Sequence, residues 1–196
     1  MWDEAFSSEE YIYGKAPNDF LRDNYQVIPK GRVLLLAEGE GRNAVFLAGK
    51  GYRVMAMDSS SVGLEKAQKL AEEQGVEIDI HCEDLTTFDL GEQCWDGIVS
   101  IYCHLPEELR RDLYRRVQQA LKPDGVFFLE GYRPEQLAYK TGGPPLASMM
   151  TSKETLAEQL PQLAFSHLLE LDREVIEGSY HTGMAAVVQA IATPRQ

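Results

Sequence analysis

Glu38 and Glu40 flank Gly39 in the run Val33-Leu34-Leu35-Leu36-Ala37-Glu38-Gly39-Glu40-Gly41-Arg42-Asn43. An apolar stretch that runs into a glycine turn reads as a buried strand handing over to a helix. Free backbone N–H groups at a helix start point at whatever lies over such a turn. A pyrophosphate placed there would meet two carboxylates and be repelled, so a ligand carrying positive charge is the better match. Further along, Asp58, Asp84-Leu85 and Ile101-Tyr102-Cys103-His104 each close an apolar run. Polar groups at successive strand ends are where an open parallel sheet collects a ligand.

The elements that would hold these groups alternate. Val33–Leu36 is a first strand, followed by a helix from about Arg42 to Lys50 that stops at Gly51. Arg53–Met57 is a second strand ending at Asp58, and Val62–Gln74 is a helix with Leu64, Ala67 and Ala71 at helical spacing. Val76–His81 and Asp96–Tyr102 are the third and fourth strands. Pro106–Leu121 is a helix with Leu109, Leu113 and Val117 on one stripe, and Lys122-Pro123-Asp124-Gly125 turns into a fifth strand, Val126–Glu130. This alternation predicts an α/β fold, a Rossmann-like three-layer sandwich on a mostly parallel sheet. After Thr151-Ser152-Lys153-Glu154, which resembles a capping box, Phe165–Ile176 and Met184–Ala192 read as an antiparallel C-terminal hairpin. Upstream, Asn18 caps a short helix carrying Phe20 and Leu21. Residues 1–30 form a cover segment, and the long stretch 131–150 is a lid or substrate wall.

Composition narrows the function. At 196 residues the chain reads as one domain, 44% hydrophobic and 26% charged. A net charge of −12 opposes nucleic acid as a partner. No apolar run approaches a membrane span, and the acidic, aromatic start is unlike a signal peptide. Cys82, Cys94 and Cys103 lack metal-ligand spacing, so the reading is reduced thiols in the cytoplasm and no metal. A monomer or weak homodimer is the expected state.

Asp58 follows Gly41 by 17 residues, near the ~20-residue spacing at which an acid receives ribose hydroxyls. The plainer reading is that Asp58-Ser59-Ser60 caps the next helix, and that Asp84 opens a turn. Taken in order, however, the motifs resemble those of class I S-adenosylmethionine-dependent methyltransferases. Ala37-Glu38-Gly39-Glu40-Gly41-Arg42-Asn43 resembles their G-x-G-x-G-R-N form, and Met57-Asp58 and Asp84-Leu85 their second and third motifs. Leu121-Lys122-Pro123-Asp124-Gly125 is similar to the turn before their fifth strand. The G-R-N variant and small size look most like the small-molecule branch around tellurite-resistance and thiopurine methyltransferases. Leu35 stands where that family usually has an acid, and Ala37 where it has its first glycine.

The resemblance implies a seven-stranded sheet and S-adenosylmethionine as cofactor, a sulfonium and ammonium ligand that suits the acidic turn. It implies that Ala37, Gly39 and Gly41 let the backbone approach the cofactor, with Glu38 beside them and Arg42 and Asn43 ordering the helix start. Asp58 and Ser59 would lie at the ribose, Asp84 and Leu85 at adenine, and Ile101 at the methionine part. In-line methyl transfer requires mainly alignment, and a base only if the acceptor must lose a proton. His104 is the first candidate base, set against a role in ordering the helix entry, and His181 the second. Tyr13 is a candidate to cover or hydrogen-bond the acceptor, and Phe20, Tyr102 and Tyr132 to line its pocket. Cys103, His81 and His167 read as structural. A small, soft acceptor, a thiol or chalcogen species, fits best. The alternatives are a noncatalytic cofactor-binding member of the fold, a nicotinamide-dependent dehydrogenase, which the missing third glycine disfavours, and an acidic protein-docking surface.

Overall fold

The computed structural model describes residues 2–196; Met1 lies outside them. Two short helices, α1 (Trp2–Ala5) and α2 (Asp19–Asn24), precede the sheet. Then β1 (Arg32–Leu36), α3 (Arg42–Gly49), β2 (Arg53–Asp58), α4 (Ser61–Gln74) and β3 (Asp79–Cys82) build one half. β4 (Trp95–Ile101), α5 (Glu107–Ala120) and β5 (Leu121–Tyr132) build the other. α6 (Gln136–Tyr139) and α7 (Lys153–Gln159) lead into a hairpin of β6 (Leu163–Glu177) and β7 (His181–Pro194). The seven strands run in the order β3-β2-β1-β4-β5-β7-β6, with β1 to β5 parallel and β7 antiparallel to both β5 and β6. This is the Rossmann-like sheet with a reversed C-terminal hairpin that the sequence predicts.

The continuous apolar strands follow from burial on both faces. Val33 and Leu35 of β1 pack with Leu21, Leu47, Leu64 and Leu70 on the α2–α4 side. Leu34 and Leu36 pack with Leu113, Val117, Leu156 and Leu160 on the α5–α7 side. Period-two alternation sends neighbouring residues to opposite layers, so both must be apolar. Helix starts are set by side chains: Asn18 Oδ1 accepts from Leu21 N, Ser60 Oγ from Gly63 N, and Ser152 Oγ from Thr155 N. Ser152, rather than Thr151, is therefore the cap of α7.

Some boundaries differ from expectation. β3 begins at Asp79 rather than Val76, as an edge strand with little burial. β5 begins at Leu121, and its register against β4 shifts: Leu121 pairs with Trp95 and Val126 with Gly97. Residues 122–125 bulge out opposite Asp96, whose carboxylate holds both Lys122 Nζ at 2.9 Å and Arg32 N at 2.8 Å. Gly131 and Tyr132 continue β5 instead of opening the lid, because they pair with Val188 and Val187 of β7. Leu109 leaves the α5 stripe for the surface, being 39% exposed, and Tyr114 packs inward instead. Phe20 belongs to the core, its ring tilted against Phe128 at a centroid distance of 4.6 Å, and lines no pocket with Tyr102 and Tyr132. Strand order reverses between β1 and β4, so the turn after β1 and the segment after β4 lie side by side.

Candidate active site

The glycine turn after β1 is shaped by two contacts. Gly41 stands at φ +85° and is the N-cap of α3, but it has no side chain to cap with. Glu38 does that work: its Oε1 accepts from Asn43 N at 2.9 Å and Ala44 N at 2.7 Å. Burial pushes the Glu38 carboxyl up to about 7, against the pull of those two N–H groups and Arg42. Asp58 clamps the other side. Its Oδ2 accepts from Gly39 N and its Oδ1 from Ser60 N, both at 2.8 Å. Asp58 is thus both the helix-entry residue and a fixed, buried carboxylate at the end of β2. Each oxygen keeps a second lone pair, so the pair can still accept two neighbouring hydroxyls. That pair of acceptors fits the two hydroxyls of a ribose.

Glu38 and Glu40, expected beside a cationic ligand, are both held by protein groups. Glu38 uses its Oε1 on the α3 N-terminus. Glu40, 3% exposed, forms an ion pair with Lys66 and accepts from Tyr13 N at 3.4 Å. Helix N–H groups and a buried ammonium are stronger local partners than open solvent. Ala37 takes the left-handed conformation at φ +49° that the family's glycine would supply. Asp84 begins a turn, accepting from Thr86 N and Thr86 Oγ1, and stays exposed; Leu85 beside it is buried. Ser59 is exposed and Ile101 buried.

The N-terminal segment lies over this turn. A Cβ on Gly39 or on Gly63 would come within 3.0 Å of the Phe6 ring. Asp3 accepts from Ser60 Oγ at 2.6 Å, and Lys66 Nζ donates to the carbonyls of Ser8 and Glu10. Phe6 of this segment sits directly on the glycine turn.

At the ends of β4 and β5, aromatic rings gather around His181. Its ring centroid lies 4.6 Å from Tyr13, 4.7 Å from Tyr102 and 5.3 Å from Tyr132. Tyr102 stands at φ +52°, a strained position for a bulky residue. Beneath the rings is a buried charge network that sequence reading missed. Glu130, fully buried, accepts from Asn18 Nδ2, Tyr102 Oη, Arg173 Nη2 and Gln189 Nε2. Glu177 accepts from Asn18 Nδ2 at 2.9 Å and from Arg42 Nη2 at 2.8 Å. Arg42 is therefore no surface residue: it ties the glycine turn to the hairpin. Asn43 Oδ1 accepts from Asn18 N at 2.9 Å and fastens the cover segment to the same turn. The only sequence signal for this network is that Glu130 interrupts an apolar strand.

His104 and Tyr13 pack into the same aromatic cluster. His104 Nε2 accepts from Tyr132 N at 3.0 Å and its ring stacks on Tyr132, while burial pushes its pKa down to about 3. Tyr13 is pushed up to about 12, by burial and then by the charge of Glu40, and so keeps its phenolic proton. Cys103 is likewise raised to about 12 by burial, an inert thiol. Among the described residues, no cluster of His, Cys, Asp and Glu could hold a metal ion, and no helix is long and apolar enough to cross a membrane.

Comparison with known proteins fits this geometry. A family model described as a methyltransferase domain matches residues 33–125. A protein of Synechocystis sp. named an uncharacterized methyltransferase is 30% identical over 177 residues, which is 87% of this chain and 80% of the relative. The chain belongs to the methyltransferase family and is an enzyme of that class. The fold matches a structure from the conversion of a disulfide bond into a thioacetal group during echinomycin biosynthesis. That match has a TM-score of 0.79 and 17% identity, over 98% of this chain and 87% of the other. It also matches TehB from Haemophilus influenzae, with a TM-score of 0.74 and 16% identity, over 99% of this chain and 66% of the other.

Proposed function

We propose that the enzyme transfers a methyl group from S-adenosylmethionine to a small, soft acceptor, a thiol or related chalcogen species, in the chamber around Tyr13, Tyr102, Tyr132 and His181. The observation that carries this reading is the Asp58-clamped glycine turn joined, through Arg42 and Glu177, to that cluster of aromatic rings. When bound, the cofactor supplies a methyl group already activated on a sulfonium.

Asp58 holds the ribose hydroxyls with its two remaining lone pairs. Gly39 and Gly41 keep the turn free of side chains, and Leu85 offers an apolar surface to the adenine. Tyr13 and Phe6, with residues 133–150, exclude water from the acceptor. Tyr13 serves as a neutral donor, and His104, its lone pair engaged by Tyr132 N–H, holds the β4–α5 segment in place. The structural relative from disulfide-to-thioacetal conversion supports sulfur chemistry in this fold. Three free cysteines support a reducing, cytoplasmic setting, and a monomer or weak homodimer completes the reading.

Phe6 on Gly39 favours a second reading, in which the segment fills the turn for good and the fold binds no cofactor. Calorimetric titration with S-adenosylhomocysteine separates the two. The expected result is micromolar binding by the parent and a loss of about 100-fold or more in Asp58→Ala, the cost of two hydrogen bonds to a charged group. Circular dichroism of the variant checks that it has folded. No binding by the parent would overturn the proposal in favour of the second reading.

A further inference from the structure

His181 Nδ1 is buried and has no hydrogen-bond partner among the described residues, the side chain being only 8% exposed. Its Nδ1 lies 3.7 Å from Glu177 Oε2, just beyond hydrogen-bonding length. Glu177 cannot swing away, because Arg42 and Asn18 hold it at 2.8 and 2.9 Å. Three tyrosine rings surround the imidazole, and Gly142 of the lid abuts its Cδ2 edge; a Cβ at that position would lie 2.9 Å from Cδ2. A buried polar group left unpaired is costly, so Nδ1 is satisfied only by closing the short gap to Glu177 with its N–H, and that leaves Nε2, to which no other described residue hydrogen-bonds, as the nitrogen open to a ligand.

We infer that His181 is the general base of the reaction, oriented by Glu177, and that the acceptor is a neutral protic nucleophile of the thiol class that must lose a proton as it reacts. The inference rests on the methyl-transfer reading and deepens it. His104 is excluded by geometry, since its Nε2 lone pair already accepts from Tyr132 N. With Nδ1–H directed at Glu177, the Nε2 lone pair of His181 is the free one. The acceptor's S–H proton passes to Nε2. The sulfur lone pair forms the new bond to the methyl carbon, and the electron pair of the breaking sulfonium C–S bond stays on the departing thioether. The imidazolium then returns its proton to water.

The surroundings suit this cycle. Glu177 from β6, Glu130 from β5 and Arg42 from α3 act on His181 through their charges, and Arg173 from β6 contacts both carboxylates. Tyr13, Tyr102 and Tyr132 are held protonated by burial, and His104 neutral. Two carboxylates and two guanidiniums balance, so a transient positive charge on His181 falls beside Glu177 without an excess cation in the network. Burial lowers the His181 pKa, which keeps Nε2 unprotonated at neutral pH.

His181→Gln tests the base. With an aliphatic thiol, kcat should fall by about 100-fold or more, the usual worth of a general base. The acid limb of the parent's pH–kcat profile should vanish, and S-adenosylhomocysteine affinity should stay within about threefold. Hydroselenide, already an anion at assay pH, should lose less than about tenfold in the same variant. Equal losses for thiol and hydroselenide would overturn the proposal in favour of a structural role. The second measurement needs no turnover. Nitrogen-15 spectra of the histidines in the S-adenosylhomocysteine complex should show His181 as the Nδ1–H tautomer, and Glu177→Gln should disturb that tautomer. An Nε2–H tautomer would overturn the inference. Failure of the methyl-transfer reading would instead appear as absent S-adenosylhomocysteine binding by the parent.

Discussion

Gly41 shows how one residue's backbone can fix a site. At φ +85° a Cβ costs about 1 kcal/mol, and here it would also lie 2.4 Å from the Ala67 Cβ on α4. Overpacking of that kind adds about 1–3 kcal/mol. Gly41→Ala is therefore expected to destabilise the fold by about 2–4 kcal/mol, read as a shift in urea midpoint with an unchanged slope. A change under about 0.5 kcal/mol would show that α3 and α4 can part at no cost. Ala37 contrasts with it, since its φ of +49° is within what alanine tolerates at modest cost. At this scale the sequence was legible where backbone shape decides: Gly39, Gly41 and Asp58 stand where the motif puts them. It misled where charge decides. Two glutamates beside a glycine look like a cation site, but Glu38 finds helix N–H groups and Glu40 finds Lys66, a residue 26 positions further along the chain.

The elements divide in the same way. Strands buried on both faces, helices with side-chain caps and the antiparallel hairpin all follow from local pattern. The charge network does not, because Asn18 meets residues 112 and 159 positions away, and no local pattern records such a pairing. The N-terminal segment is the element whose position matters most for the reaction. Phe6 lies on Gly39, so a cofactor needs that ring to move before it can reach the turn. Amides of residues 2–13 should change their hydrogen exchange on adding S-adenosylhomocysteine. Phe6→Ala should raise their exchange without ligand and speed ligand association in stopped flow. Identical association rates in the two proteins would mean the cofactor enters without displacing the segment. The hold on that segment is polar as well as apolar, through Lys66 and Asp3, so the ring's removal should loosen it without releasing it.

For the molecule as a whole, the buried titrating groups set how stability depends on pH. Burial opposes the charge on Glu177, but its pKa is lowered from 4.5 to about 2 by the nearby His181 ring and by Arg42 and Asn18, which hydrogen-bond to it. Its contribution is full above pH 4.5 and is lost as pH falls toward 2. His104 is lowered from 6.5 to about 3 by burial, so the native state resists its protonation and loses stability as pH falls from 6.5 to 3. Glu38 has the opposite sign. Raised to about 7, it favours the native state when protonated and costs stability as pH rises from 4.5 to 7. One proton of imbalance is worth about 1.4 kcal/mol per pH unit. Between pH 6.5 and 4.5, His104 and Glu38 therefore cancel, with the smaller effects of His181 and Asp58 also opposed. Below 4.5 Glu38 no longer compensates, and His104 and Glu177 add to a slope of about 2.7 kcal/mol per pH unit. Urea unfolding from pH 8 to 3 should thus show a plateau down to about pH 4.5 and a steep fall below it. Acidification also relieves the self-repulsion of a chain with net charge −12, which reinforces the plateau. Glu38→Gln removes the compensating group, so its stability should begin to decline near pH 6.5. A variant that keeps the parent's plateau would show that the Glu38 carboxyl is ionised throughout, held by the Asn43 and Ala44 N–H groups more strongly than burial opposes it.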